Sequence, residues 1–359
     1  MARSEPVRVA FVGCGNIAGP YAESMAKHPK RLQIAGAYDT RREAAEAFVA
    51  RHGGRLYESL DELLAHDAVE VGLNLTIHLA HGQVTRRLLE GGKHVHSEKP
   101  LAATREEARA CVELAAEKGL LLGCSPFVIL GEAQQTLKQV IADGMVGEVR
   151  EVYAEMNHGR IETWHPAPAP FYGEGAGPLL DVGCYPLSVL THILGSVVAV
   201  QAMGGVRLPQ RTIGSGPNAG QAFQVTNPDH TVTLLEFESG VRGRLTTSFF
   251  AVKSAQAGIE VHGTEGSAWL GSPVGFDSPL RLCKAGAGDW SEVALLERPH
   301  PGVEWARGLL DLASALRQGT ALTCPGTAAY HVLDICLSAL EACESGGTEP
   351  VESRFDALP

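Results

Sequence analysis

Lys99 stands between Glu98 and Pro100 in the stretch His94-Val-His-Ser-Glu-Lys-Pro-Leu101. An apolar strand pattern runs into this trio and must stop there. Proline restricts the residue before it and has no N–H to give a sheet. An ammonium is thereby left at the carboxyl end of a strand, the edge at which open α/β sheets bind ligands. Taken alone, a Lys-Pro pair is a solvated turn. A second group of reactive types lies in Pro178-Leu-Leu-Asp-Val-Gly-Cys-Tyr-Pro186. Pro178 suits the first turn of a helix, and Asp181 and Tyr185, four apart, then share one face near its start. Taken alone, these are an acid favourable to the helix dipole and a half-buried phenol. Together, an amine, a phenol and a carboxylate suit proton transfer at a hydroxyl. Free Tyr and Lys titrate near ~10.

The N-terminus supplies a context for these groups. Val7-Arg-Val-Ala-Phe-Val12 is a short β-rich run of the kind found in buried parallel strands. Gly13-Cys-Gly-Asn-Ile-Ala18 follows at once, a G-x-G-x-x-A pattern opening a helix. Gly13 permits the tight turn, Gly15 lets a pyrophosphate approach the backbone, and Ala18 lets helix and strand pack closely. Phosphate would meet the N–H groups of Asn16 and Ile17 at the helix start. A second strand, Leu32-Gln-Ile-Ala-Gly-Ala-Tyr-Asp39, ends in an acid 24 residues after Gly15. Asp39 can accept both ribose hydroxyls of an adenosine, which favours NAD, with Thr40 and Arg41 beside it. Arg41 and Arg42 are either the solvated start of a helix or guanidinium groups for the 2′-phosphate of NADP.

The elements that must position these groups alternate. Helices are expected at 41–52, 59–66, 79–91 and 104–118, and strands at 69–76, 95–97 and 120–125. This is the order of a doubly wound parallel sheet. Beyond 125 the style changes. After a helix at 132–143, strands at 148–157, 197–208, 230–238, 241–250 and 258–270 pair antiparallel-fashion across turns. The expected architecture is an α/β chain: a Rossmann domain at 1–125 and an α+β domain at 126–359. The second carries a large open, mainly antiparallel sheet. Helices at 304–318 and 326–344 close the chain, the final one packing back on the first domain, and 217–229 is expected to be a mobile loop. One sheet face would be covered by helices. Val232, Leu234 and Phe249 on the other would need a partner, most simply another copy in a homodimer or homotetramer.

Composition narrows the classes. A chain of 359 residues is too long for one ordinary core. The net charge of −11 argues against nucleic acid and anionic membrane as partners. Eight cysteines without a C-x-x-C spacing read as reduced thiols of a cytoplasmic protein. No apolar run reaches the ~18 residues a membrane span needs, and no leader pattern precedes the first strand. The fourteen histidines form no H-x-x-x-H pattern, so no metal site is expected.

These segments resemble the Gfo/Idh/MocA oxidoreductases, the family of glucose–fructose oxidoreductase and inositol dehydrogenase. The resemblance rests on 12–19, on Gly92-Lys-His-Val-His-Ser-Glu-Lys-Pro-Leu101, on 137–147 ending in Asp-Gly-Met-Val-Gly, and on 175–185. It implies that Lys99 touches the substrate hydroxyl beside the nicotinamide, with Glu98 and Lys99 near the cofactor. The family's Asp-x-Gly-x-His is here Asp181-Val-Gly-Cys-Tyr185. Tyr in the last place resembles the branch of dimeric dihydrodiol and xylose dehydrogenases, in which the Tyr is the proton donor. Two departures stand out. The usual Thr-Pro-Asn-x-x-His is Thr76-Ile-His-Leu-Ala-His81, and an acid often found three residues beyond the helix His is Ser188. Asn74, Thr76 and His81 fall where relatives contact cofactor, although His78 and His81 read equally well as loop histidines.

The expected reaction is hydride transfer between NAD, or NADP, and a hydroxyl or keto carbon of a sugar, sugar derivative or polyol. Tyr185 would be the acid/base, Lys99 its electrostatic support and Asp181 its orienter. His158 and His165 are the next candidates for the acid/base. Trp164, His165 and Tyr172 are expected at the rim of a carbohydrate pocket, or else as loop packing. Two alternatives remain at this level: NAD-assisted glycoside cleavage on the same scaffold, and a non-catalytic NAD- or sugar-binding sensor. The sensor reading predicts loss of the acid/base positions, both of which are present.

Overall fold

The computed structural model describes residues 5–355. Its chain begins with β1 (Val7–Val12), α1 (Ala18–Met25), β2 (Leu32–Tyr38), α2 (Arg42–His52) and β3 (Arg55–Leu56). Next come α3 (Leu60–Leu64), β4 (Val71–Asn74), α4 (His81–Glu90), β5 (His94–Ser97), α5 (Arg105–Glu117) and β6 (Leu122–Cys124). The strands form one parallel sheet in the order β3-β2-β1-β4-β5-β6. Val7, Val9, Phe11, Val71, Leu73 and Val95 are fully buried, as strands covered on both faces require. Ser59 and Thr104 cap α3 and α5 by accepting the N–H groups of Glu62 and Glu107, which fixes where those helices start.

The second half holds α6 (Glu132–Ala142), β7 (Val149–Asn157), α7 (Cys184–Leu194), β8 (Val197–Gly205), β9 (Gln210–Thr212) and β10 (Ala222–Gln224). It continues with β11 (His230–Phe237), β12 (Arg242–Ser248), β13 (Gly258–Gly263), β14 (Gly266–Leu270), β15 (Leu280–Lys284) and β16 (Ser291–Glu292). Helices α8 (Arg307–Gln318) and α9 (Gly326–Ser345) and strand β17 (Thr348–Pro350) complete the described chain. Nine strands build one sheet, β16-β15-β14-β13-β7-β12-β11-β8-β17, in which only β7 and β12 pair in parallel. Helix α6 packs against β14 and helix α7 against β7.

The described residues form two compact units: 5–127 with 304–330, and 128–303 with 331–355. A boundary at 125/126 assigned 304–330 to the second domain, whereas these residues fold with the first. Arg31 donates to the Leu310 carbonyl at 2.8 Å, the Ala306 N–H reaches Ser24 at 3.0 Å, and Cys124 N–H reaches the Cys324 carbonyl at 3.1 Å. Helix α8 packs against β2, β5 and β6. The division falls inside α9, whose first turn stays with the first unit.

Alternation along the large sheet sends Thr231, Thr233 and Leu235 inward and leaves Met203 80% and Leu234 52% exposed on the outer face. Phe249, expected on that outer face, is fully buried. It lies one residue past the end of β12 and turns into a core of Ile161, Tyr172, Val182 and Val225. Nor is 217–229 a free loop. It contains β10, paired with β9, and ends at the fully buried Asp229.

Candidate active site

The glycine turn follows β1 directly. Gly13 has φ +94°, and a Cβ there would lie 2.7 Å from the Leu75 carbonyl carbon, so only glycine fits. Gly15 faces open space, with nothing within 4 Å of where its Cβ would be. Gly15 and Asn16 are exposed and Ile17 is half-buried at the start of α1, whose first turn holds no acid to repel a phosphate. Asp39, just past β2, accepts the Cys14 N–H at 2.7 Å on one oxygen and the Arg41 N–H at 2.8 Å on the other. Thr40 and Arg41 are exposed beside it. Arg42 is committed elsewhere, to Glu46 at 2.7 Å and to Glu58. Burial pushes the Cys14 thiol up to about 12, with Asp39 adding to the rise. The thiol is therefore an inert packing group in this turn.

Beyond β4, three residues expected to touch cofactor serve each other. Asn74 is fully buried. Its amide donates to the His81 carbonyl and to Thr85, each at 3.0 Å. Its oxygen accepts from the N–H (3.2 Å) and hydroxyl (2.7 Å) of Thr76. Its side chain thus has no capacity left for a ligand. His81 is 2% exposed, with Nδ1 2.7 Å from the Pro100 carbonyl and Nε2 3.0 Å from the Thr76 carbonyl. Burial pushes its imidazole below the ordinary value, against the pull of those carbonyls and of Glu98. The side-chain polar atoms of Asn74 and His81, both expected beside the cofactor, are engaged in holding the loop. Ile77, in the same loop, is 68% exposed.

Lys99 follows β5 and is half-buried, at the same sheet edge as the glycine turn. The Lys99–Pro100 peptide is cis. Glu98 is only 7% exposed and its carboxylate faces inward. Oε1 accepts from the Tyr21 hydroxyl at 2.7 Å and from Ser125 at 2.9 Å, and Oε2 accepts the Lys99 N–H at 3.1 Å. Glu98, expected as a cofactor contact, is instead surrounded by protein donors.

In the second unit, the segment before α7 is a single π-helical turn, Leu179–Gly183, rather than an α-helical start. Such one-turn insertions occur often at functional sites. Asp181 and Tyr185 are both half-buried. Tyr185 packs on the cluster of Ile161, Tyr172, Val182, Val225 and Phe249. Ser188 is 2% exposed, inside the helix packing and away from solvent.

Trp164 is 54% exposed. Its ring stands edge-on to His158 (6.3 Å) and His165 (5.5 Å), and His165 in turn meets Phe171 at 4.9 Å. His165 Nδ1 accepts the Ala167 N–H at 3.0 Å. Tyr172 does not belong to this surface group. It is 1% exposed, its hydroxyl donates to Glu162 and accepts from the Ile161 N–H, and its ring lies under Arg211. Burial and then the Glu162 contact push its phenol above the ordinary value. The rim role expected for Tyr172 is corrected: it is core.

The residues missed from sequence are those that buttress these groups. Arg211 on β9 has a fully buried side chain between Glu162 (2.6 Å) and Asp229 (2.5 Å), and also donates to the Phe249 carbonyl at 3.1 Å. Arg211 lies 49 residues from Glu162 and 18 from Asp229 in a polar stretch, with no local pattern to announce it. Tyr21, in α1, carried a weak signal as an aromatic among small residues just after the glycine turn.

The first unit fits a dinucleotide on its own evidence. A turn that tolerates only glycine, an open Gly15, a helix start without acids and a fixed carboxylate after the second strand occur in the required order. This defines a dinucleotide-binding Rossmann unit. Residues 7–125 match the oxidoreductase family with the NAD-binding Rossmann fold, and residues 134–269 match the GFO/IDH/MocA C-terminal domain. The chain belongs to the Gfo/Idh/MocA oxidoreductase family. It is 28% identical over 277 residues to dTDP-3,4-didehydro-2,6-dideoxy-alpha-D-glucose 3-reductase of Actinomadura kijaniata, covering 75% of this chain and 76% of that one. It is 29% identical over 278 residues to trans-1,2-dihydrobenzene-1,2-diol dehydrogenase of Oryctolagus cuniculus, covering 76% and 78%. Its fold is also that of a dehydrogenase from Bordetella pertussis solved with NADH and UDP-GlcNAcA. That likeness has a TM-score of 0.79, 20% identity and coverage of 99% and 100%. Among the described residues no helix is long and apolar enough to cross a membrane. No cluster of three or more His, Cys, Asp or Glu there could hold a metal ion.

Proposed function

We propose that this oxidoreductase interconverts a hydroxyl and a keto carbon on a sugar, sugar derivative or polyol, with Tyr185 as acid/base. The observation that carries the reading is Lys99, half-buried directly beyond β5 on the edge that bears the glycine turn. NAD(P), when bound, supplies or takes up the hydride. The hydroxyl proton must travel as the hydride does. In this reading Tyr185 holds or releases it, Lys99 supports the substrate oxygen, and Asp181 orients the hydroxyl. The exposed Trp164 and the neighbouring His165 offer aromatic faces to the C–H face of a sugar ring. Relatives named as a dTDP-3,4-didehydro-2,6-dideoxy-alpha-D-glucose 3-reductase and a trans-1,2-dihydrobenzene-1,2-diol dehydrogenase support this substrate class.

NAD is the proposed cofactor in preference to NADP. Asp39 offers a fixed carboxylate to the ribose, and Arg42 is held by Glu46 and Glu58. Arg41, exposed and 3.8 Å from Asp39, is the arginine that would meet a 2′-phosphate. A second copy of the chain is the proposed cover for Met203 and Leu234 on the outer sheet face, giving a homodimer or homotetramer that light scattering would detect. A cytoplasmic setting is inferred from eight cysteines that form no disulfide.

The experiment is a panel: the purified protein with NAD, then NADP, against D-glucose, D-xylose, myo-inositol and a 3-keto-glycoside. Reduced cofactor should form with at least one sugar or polyol, or be consumed by the keto compound. Glycoside cleavage without net reduced cofactor would replace this reading with redox-assisted cleavage.

A further inference from the structure

The carboxylate of Glu98 is 7% exposed and carries three donors: the Tyr21 hydroxyl, the Ser125 hydroxyl and the backbone N–H of Lys99. Tyr21 is fully buried and Ser125 is 3% exposed. A carboxylate taken out of water needs donors of this kind, so Glu98 has one stable orientation. The grip on Lys99 is through its main chain, so it fixes where the side chain starts. The far end of the same turn is held as well, by His81 at the Pro100 carbonyl. Tyr21 comes from α1, the helix that the glycine turn opens into.

We propose that Glu98, held by Tyr21 and Ser125, is a positioning residue that sets Lys99 for catalysis and touches neither cofactor nor substrate. This rests on the role given to Lys99 above. Glue holding the fold together would predict a loss of stability that scales all activities alike. Positioning predicts a loss that exists only while Lys99 has an ammonium to place.

Tyr21→Phe in the full-length protein separates the two, read together with Lys99→Ala and the double variant. The sugar is whichever member of the panel turns over fastest. Misplacing a catalytic group costs rate without costing binding, so Tyr21→Phe should lower kcat by about 10- to 100-fold. KM for the sugar and Kd for NAD from calorimetry should stay within about 3-fold of wild type. In the Lys99→Ala background, Tyr21→Phe should change kcat by less than about 2-fold, because the two act through one group. A second arm needs no substrate: the rate of Lys99 acylation by acetic anhydride, followed by peptide mass spectrometry, should change several-fold in Tyr21→Phe.

Equal falls in kcat in both backgrounds, or a loss of NAD affinity matching the fall in kcat, would overturn the proposal. Unchanged Lys99 acylation would do the same. If Tyr21→Phe does not fold, Ser125→Ala removes the other hydroxyl donor and is read by the same measurements. Full turnover by Lys99→Ala would instead defeat the catalytic reading of Lys99, while the acylation arm would still report whether Glu98 places it.

Discussion

The carboxylate of Asp39 accepts the backbone N–H of Cys14 at 2.7 Å, joining the end of the second strand to the middle of the glycine turn. Its other oxygen accepts the Arg41 N–H at 2.8 Å. One side chain therefore fixes the glycine turn and, in the proposed reading, presents acceptors to a ribose. Asp39→Ala should weaken NAD by about 1.5–3 kcal/mol, the scale of hydrogen bonds to a charged group. Calorimetric titration of NAD into the variant checks this, and unchanged affinity would remove Asp39 from the site. Wild-type protein that binds NADP more tightly than NAD would make Arg41 the specificity residue.

Arg211 is the cation of a buried group with Glu162 and Asp229. Removing it leaves two carboxylates without their partner, a change that costs about 3–5 kcal/mol when the site is dry. Arg211→Met should lower the urea midpoint accordingly. Tyr172→Phe, which removes one hydroxyl from the same group, should cost about 1–2 kcal/mol. Equal stability of Arg211→Met and wild type would show that this group does not hold the 158–172 segment.

Much of the first unit was legible in the sequence because its signals are local. Gly13, Gly15 and Ala18 act within one turn, Asp39 closes the next strand, and Pro100 stops the strand before Lys99. Each of these is a rule about neighbouring residues. The second unit yielded less, because its determinants meet only in three dimensions. Tyr172 sits in a segment rich in Pro and Ala that reads as surface, yet Arg211 and Glu162 draw it into the core. Asn74 and His81 occupy positions that suggest ligand contacts, and nothing local shows that Thr76, Thr85 and Pro100 already use their polar atoms. The π turn at Leu179–Gly183 likewise follows a proline that marks a helix start without specifying its pitch.

His96 supplies a pH dependence. It is 1% exposed in β5, neither ring nitrogen has a hydrogen-bond partner, and burial pushes its pKa down to about 4 against the pull of Glu98. The unfolded chain binds the proton more readily than the folded one. Stability is therefore full above the unfolded value of 6.5 and falls by about 1.4 kcal/mol per pH unit towards about 4, then levels. His96→Leu should flatten the decline in urea midpoint between pH 6.5 and 5. An identical decline in variant and wild type would mean that this histidine is not the group titrating there.

Trp164 offers the simplest test of the carbohydrate surface. Trp164→Ala should raise KM for the panel sugar by about 5- to 10-fold, equivalent to roughly 1 kcal/mol of aromatic contact, and leave NAD affinity unchanged. Steady-state kinetics at saturating NAD measures it. An unaltered KM would confine the Trp164, His165 and Phe171 rings to packing among themselves.

The central claim is that Tyr185 moves the hydroxyl proton with Lys99 in support. Tyr185→Phe keeps the ring on its core cluster and removes only the hydroxyl, so folding and NAD binding should be unaffected. Its single-turnover rate of NADH formation with the panel sugar should fall by about 10²–10⁴-fold, the usual contribution of a positioned acid/base. Lys99→Ala should lose a comparable amount, and the double variant far less than the product of the two. Near-normal NADH formation by Tyr185→Phe would contradict the account and pass the acid/base role to His158 or His165.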